Sequence, residues 1–268
     1  LTKSSLTAAI HVGIGGWTFP PWRGVFYPPG LPHAQELAYA AGKMSAIEIN
    51  ATFYGRQKPE SFAKWRDTAP DGFVFAVKAS RFTTHKKDLA AAGDSVTAFL
   101  VSGITELGPK LGPVLWQFPP TRKFEREAFA AFLGLLPPEQ DGLRLRHVIE
   151  TRHDSFNDPA YMDLLRDHNV AHAIIESDKH TLLADLTADF VYARLEHNAA
   201  NAPEGYATPA LDGWAKRVKA WAAGKPADDL PRAGAQATPV PRDAFIFFIS
   251  GDKERAPDAA MAFRRRLG

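Results

Sequence analysis

Glu48, Lys78, Glu150, Arg152, Glu176 and Arg194 each stand at or near the C-terminal end of a short apolar run. Two carboxylates that meet in one place can divide general acid and general base work between them, and Glu48 and Glu150 are the candidates for that pair. Lys78 can serve as their charge partner or as a general acid. A covalent, imine-forming role for Lys78 needs a depressed pKa, which two or three neighbouring carboxylates oppose. Arg152 and Arg194, together with Lys78, suit the clasping of a phosphate or carboxylate. Asn50 and Gln117, at comparable places in their own runs, can orient what the cations hold.

The same residues admit other chemistries. Glu48 or Glu150 paired with Glu176 is a glycosidase arrangement. Glu48, Glu150, Glu176 and His153 could gather round a divalent metal, but Lys78, Arg152 and Arg194 in the same ring repel one, so no metal ligand is assigned. A serine nucleophile lacks an elbow sequence around it. The glycine-rich Gly13–Trp17 leads into a proline-rich loop rather than a helix N-terminus, so it is not a phosphate cradle, and no cofactor fingerprint is present. Cysteine is absent, which removes disulfides, thiolate metal sites and cysteine nucleophiles together.

Positioning these residues falls to strands that alternate with helices. Strands are expected at Ile10–Trp17, Ala46–Tyr54, Phe73–Ser80, Pro113–Pro119, Leu145–Arg152, Ala171–Ser177, Phe190–Glu196 and Ala244–Ser250. Helices are expected at Leu31–Met44, from Pro59, at Asp94–Leu107 with Asp94 as cap, at Phe124–Leu136, at Pro159–His168 capped by Asp158, at Leu211–Ala223 and at Pro257–Leu267. Only a short helix at best is expected after the sixth strand, at His180–Leu186. About eight βα units in one domain predict a TIM-type (β/α)8 barrel, with a doubly wound open sheet as the alternative. Residues 224–242, rich in Pro, Ala and Asp, read as an irregular insertion at the lower end of the barrel.

Side chains alternate across a strand. Setting the large hydrophobes of each strand toward the helices leaves an inward series: Glu48, Asn50 and Thr52; Lys78 and Ser80; Gln117; Glu150 and Arg152; Glu176 and Asp178; Arg194 and Glu196. The lower inward positions are small or apolar, among them Gly13, Val74, Ala76 and Ile174. A packed lower core beneath a polar upper mouth is the pattern of a barrel enzyme. Loops at the same end carry Trp17, Trp22, Phe26, Tyr27, Phe53 and Tyr54. Of these Trp17 and Tyr54 are expected to stack on a sugar or base, and His85 and His153 to join them.

The chain has 268 residues, 45% hydrophobic and 23% charged, with a formal net charge of +2. Such a balance favours a small anion over nucleic acid as partner. No apolar run is long enough to cross a bilayer, and no leader pattern opens the chain, so a cytoplasmic location without a membrane partner is expected.

Several stretches resemble one family when read in order: GxGGWxxxxWxGxFYP at Gly13–Pro28, EINxTFY at Glu48–Tyr54, FxFxVKxxxxxTH at Phe73–His85, LGPxLxQFPP around Leu111–Pro120, ExRHxSF at Glu150–Phe156 and ADFxYxR at Ala188–Arg194. Together they resemble the domain-of-unknown-function family 72, the YecE-like proteins. The resemblance implies a TIM-type barrel and supplies no reaction. Phe156 stands where the family pattern suggests Trp, and Ile249-Ser250-Gly251 stands where it suggests asparagines. The resulting expectation is an enzyme doing acid–base chemistry on a small or terminal anionic, sugar- or nucleotide-like substrate. A ligand- or partner-binding module using the same mouth is the alternative, and a metal-dependent, nuclease-like hydrolase the second.

Overall fold

A parallel strand covered on both faces reads as a near-continuous apolar run, and among the described residues eight such runs pair side by side. They are β1 (Ile10–Gly15), β2 (Ala46–Ile49), β3 (Val74–Lys78), β4 (Leu111–Gln117), β5 (His147–Glu150), β6 (Ala171–Glu176), β7 (Phe190–Leu195) and β8 (Asp243–Phe248). Neighbours in sequence are neighbours in the sheet, and β8 pairs back onto β1, so the sheet closes into a barrel. The computed structural model describes residues 8–268. Residues 1–7, where no leader pattern was expected, lie outside them.

Outside the barrel pack α1 (Glu36–Lys43), α2 (Pro59–Thr68), α3 (Gly93–Leu100), α4 (Arg126–Gly134), α5 (Pro159–Asp167), α6 (Thr208–Ala222) and α7 (Ala256–Leu267). Pro59 occupies the first turn of α2, where its missing N–H costs nothing. Asp158 caps α5 by accepting from the Ala160 N–H at 2.8 Å. The fold is therefore a single (β/α)8 barrel of the TIM type, with an irregular segment at residues 177–189 in place of a helix between β6 and β7. Residues 224–242 also lack helix and strand. They are tied down by Arg217 to Asp229 at 2.7 Å and by the Ala233 and Gly234 N–H groups donating to Asp185.

Some boundaries move from expectation for local reasons. The second strand stops at Ile49, and Ala51–Tyr54 is a helical turn. There the Thr52 hydroxyl donates to the Lys78 carbonyl at 2.7 Å, so Thr52 ties β2 to β3 and does not face the mouth as expected. The third helix ends at Leu100 rather than Leu107; the chain turns through Gly103, left-handed with φ 107°, and continues as a 3-10 segment at Ile104–Lys110. Asp94 lies inside the first turn of that helix and is not its cap.

Strand parity places Ala46, Ala76, Leu115, Val148, Ala171, Ala173, Phe190, Tyr192, Phe245 and Phe247 in the barrel interior. Alanines on β2, β3 and β6 leave room for the rings of β7 and β8. Gly13 allows β2 to close on β1: a Cβ there would stand 1.9 Å from the Ala46 carbonyl oxygen. The outer faces, with Val12, Ile47, Phe75, Trp116, Ile149, Val191 and Ile246, bury against the helices. One strand is reversed from expectation. Ile174 belongs to the outer layer, while Ala171 and Ala173 fill the interior, so β6 points Glu176 toward the helices.

Candidate functional site

The strand ends bring Glu48, Lys78, Gln117, Glu150 and Arg194 to one rim of the barrel, with Arg152 just beyond β5. Arg194 joins two strands. Its Nε and Nη2 each lie 3.1 Å from an oxygen of Glu48, and its Nη1 lies 2.6 Å from Glu150 Oε2. Tyr192, two residues earlier on the same face of β7, donates its hydroxyl to Glu48 Oε2 at 2.6 Å. Asn50 Nδ2 donates to Glu48 Oε1 at 3.1 Å. Glu150 Oε1 accepts from Gln117 at 2.6 Å and from Arg152 Nε at 2.8 Å. Every oxygen of both carboxylates is thus occupied, and both residues are 0% exposed.

Burying carboxylates is tolerable when cations and donors surround them. Burial alone pushes the Glu150 carboxyl up, but Arg194, Arg152 and Lys78 outweigh it and hold the pKa down to about 2. Burial likewise opposes the charge on Arg194, and Glu150 and Glu48 more than restore it. The Tyr192 hydroxyl is driven well above its ordinary value by burial and by the Glu48 charge, so it remains a donor.

Lys78 differs from the other cations. It is 6% exposed. Its Nζ lies over the Phe53 ring, 4.1 Å from the centroid, and among the described residues no hydrogen bond or ion pair within 4.0 Å engages it. The acids that could pair with it are already held by arginines. Burial, followed by the charge of Arg194, lowers the amine to about 8 against the opposing pull of Glu48 and Glu150. The depressed pKa that the neighbouring carboxylates were expected to prevent is therefore present.

Of two further groups at this end, Lys253 carried no sequence signal that marked it, whereas Glu196 stood in the inward series. Lys253, in the loop between β8 and α7, stacks its ammonium over Phe19 at 4.6 Å and lies close enough to Glu48 to feel its charge. Glu196, just beyond β7, has Oε1 3.9 Å from Arg194 Nη1 and without a hydrogen-bond partner. Tyr192 was legible in the sequence only as part of the ADFxYxR pattern. Its function as a donor depends on reach across the barrel, from β7 to Glu48 on β2.

Other expected site residues lie elsewhere. Glu176 faces outward, where Trp214 Nε1 donates to it at 2.7 Å and the Tyr206 hydroxyl also donates, both from the α6 side of the wall. It cannot form a glycosidase pair with Glu48 or Glu150. His153 accepts the Ser155 N–H at 3.1 Å and so caps a short turn. Trp17 packs edge-on against Trp65 of α2, with its carbonyl accepting the Tyr27 hydroxyl at 2.6 Å. Trp22, Phe26 and Tyr27 pack on one another instead of lining the mouth. Tyr54 is 65% exposed beside Arg81. His85 stands 6.0 Å from Phe53, and burial with Arg81, Arg122 and Lys78 lowers its pKa. Among the described residues no three His, Asp or Glu side chains converge as metal ligands.

Nor do the carboxylates line the cavity beside β2 and β3. A cavity of about 260 Å³ lies to one side, lined by Thr52, Gln57, Ser80, Thr83 and Phe99 among others, with none of the rim charges in its wall.

The fold and this rim define a β/α-barrel protein with a buried ionic ring at the upper mouth of the barrel. The chain belongs to the family described as "Protein of unknown function DUF72", whose model matches residues 11–268. It is 30% identical over 148 residues to the UPF0759 protein YecE of Escherichia coli (strain K12), covering 55% of this chain and 50% of that protein. It is also 30% identical over 126 residues to the UPF0759 protein YunF of Bacillus subtilis (strain 168), covering 45% and 44% of the two chains. The chain thus spans about half the length of the curated relatives it matches. A crystal structure of a DUF72 family protein from Thermotoga maritima superposes with a TM-score of 0.73 at 22% identity, covering 97% of this chain and 99% of that one. Among the described residues no helix is long and apolar enough to cross a membrane.

Proposed function

We propose that the mouth binds a small anion that also carries a hydroxyl, and that Lys78 is the group that exchanges protons with it. The observation carrying this reading is the free amine: Lys78 is buried and unpaired beside two carboxylates whose oxygens are all taken. An amine whose pKa is lowered to about 8 is suited to acid–base work. Lys253 and the outer edge of Arg152 supply positive charge for a phosphate or carboxylate. Glu48 and Glu150, first considered as the acid–base pair, become holders of Arg194, because giving or taking a proton would break contacts that keep them buried.

The enclosure of both carboxylates also favours a second reading, a module that binds the same anion without turning it over. Calorimetric titration of phosphorylated and carboxylated sugars, followed by NMR of each binder for chemical change, separates the two. An enzyme converts a binder, and Lys78→Met abolishes conversion while binding weakens by less than about tenfold. Full conversion by Lys78→Met would sink the assignment. Saturable binding with no conversion by wild type would leave the binding module.

A further inference from the structure

We infer that Lys78 acts as a covalent nucleophile, condensing with the carbonyl carbon of a small anionic aldehyde or ketone to form an imine in the barrel mouth. This inference rests on the small-anion reading of the mouth. It narrows the substrate class from anions in general to those with a carbonyl group.

Three features of the site favour it. The amine is held on a rigid strand end, with its nitrogen free of hydrogen bonds and ion pairs among the described residues, so no partner must be displaced before it attacks. Lys253 and Arg152 can hold an anionic substituent while the carbonyl faces Lys78. The product is a cation at nearly the same place as the ammonium. The charges around it are Glu48 on β2, Glu150 and Arg152 at the end of β5 and Arg194 on β7, with His85 close enough to feel the amine. The two acids and the face of the Phe53 ring offset part of the cost of burying an iminium there, as they do for the ammonium. At pH 7.5 an amine with a pKa of about 8 presents roughly two hundred times more free base than an ordinary lysine.

The step balances without a co-reactant. The amine nitrogen forms a bond to the carbonyl carbon, and the carbonyl oxygen takes a proton to give a carbinolamine. The C–O bond then breaks, and oxygen leaves as water with the second proton. Ammonium plus carbonyl becomes iminium plus water, with no change in net charge and no redox change.

The test uses the wild-type chain with glyoxylate as a small anionic aldehyde and cyanoborohydride to trap any imine, followed by peptide mapping. The expected result is carboxymethylation of Lys78 at least about tenfold faster than of any exposed lysine. Modification of exposed lysines with Lys78 untouched would overturn the inference. Calorimetry of glyoxylate without the reductant keeps the two readings apart. Binding that weakens in Arg152→Ala, with no trapping at Lys78, removes the imine and leaves the anion site. Trapping at Lys78 that is insensitive to Arg152→Ala and Lys253→Ala keeps the imine and removes the anion site. Neither binding nor trapping removes both.

Discussion

Replacing Arg194 with Met tests whether the ring is held together as described. Arg194 spans Glu48 and Glu150, both fully enclosed, with contacts of 2.6 to 3.1 Å. Removing one partner of a buried ion pair typically costs about 3–5 kcal/mol, because the charge left behind is uncompensated. For a chain of this size that corresponds to a fall in Tm of roughly 6–20 °C. The pH dependence gives a sharper readout. The folded pKa of Glu150 lies near 2, below its ordinary 4.5. Its contribution, about 3 kcal/mol, is therefore complete above about pH 4.5 and lost as pH falls toward 2. Without Arg194 the folded pKa of Glu150 rises, so protonation relieves the variant at milder acidity. Urea unfolding of both proteins, followed by tryptophan fluorescence, should give the widest stability gap at pH 7 and a narrowing gap between pH 5 and pH 3. A gap below about 1 kcal/mol, or one of equal size at pH 7 and pH 4, would refute the buried-pair account.

Lys78→Met should stabilise the protein at neutral pH. The folded amine near 8 binds fewer protons than the unfolded one at 10.5, so wild type carries a penalty of about 3 kcal/mol below pH 8 that disappears above about pH 10.5. Urea midpoints at pH 7 and pH 10.5 measure it, and destabilisation of the variant at pH 7 would count against an unpaired Lys78. Tyr192→Phe removes a 2.6 Å donor to Glu48 and should lower stability by about 1.5–3 kcal/mol with the far-ultraviolet spectrum unchanged; a neutral result would mean Glu48 does not need it. Glu176→Gln should lower stability by about 1–2 kcal/mol through weakened contacts with Trp214 and Tyr206. Calorimetry should show that it leaves glyoxylate binding at the mouth unchanged, and a tenfold loss would return Glu176 to the site.

Much of this architecture was legible because strand alternation and residue size point the same way in most strands. On β2 and β3 large outer hydrophobes alternate with small or polar inner residues, and on β5 and β7 the polar Glu150 and Arg194 fall on the face opposite Ile149 and Leu195, so Glu48, Lys78, Glu150 and Arg194 could be aligned from the sequence. Size gave no clear answer on β6, where Ile175 shares a face with Ala171 and Ala173 and Ile174 shares the other with His172 and Glu176, so setting the polar face inward reversed the strand. The end of β2 was hidden for a different reason. Thr52, Phe53 and Tyr54 favour a strand by type, yet a hydrogen bond from Thr52 to the carbonyl of Lys78 fixes a helical turn. That turn puts Phe53 under the amine. The loop aromatics could not be sorted by type either, since Trp22 and Tyr27 look alike in sequence whether they face each other or a ligand. Above all, sequence could group the charges but could not say which would pair. That the arginines take both acids, at 2.6 to 3.1 Å, while Lys78 stays beyond 4.0 Å from either, is settled by side-chain geometry that residue types do not encode.

The most direct measurement is an NMR titration of the lysine side chains labelled at ¹³Cε, with Lys78 assigned by its loss in Lys78→Met. An inflection for Lys78 near pH 8 is expected, well apart from the exposed lysines. An inflection at or above 10.5, the ordinary lysine value, would mean that a carboxylate holds the amine after all.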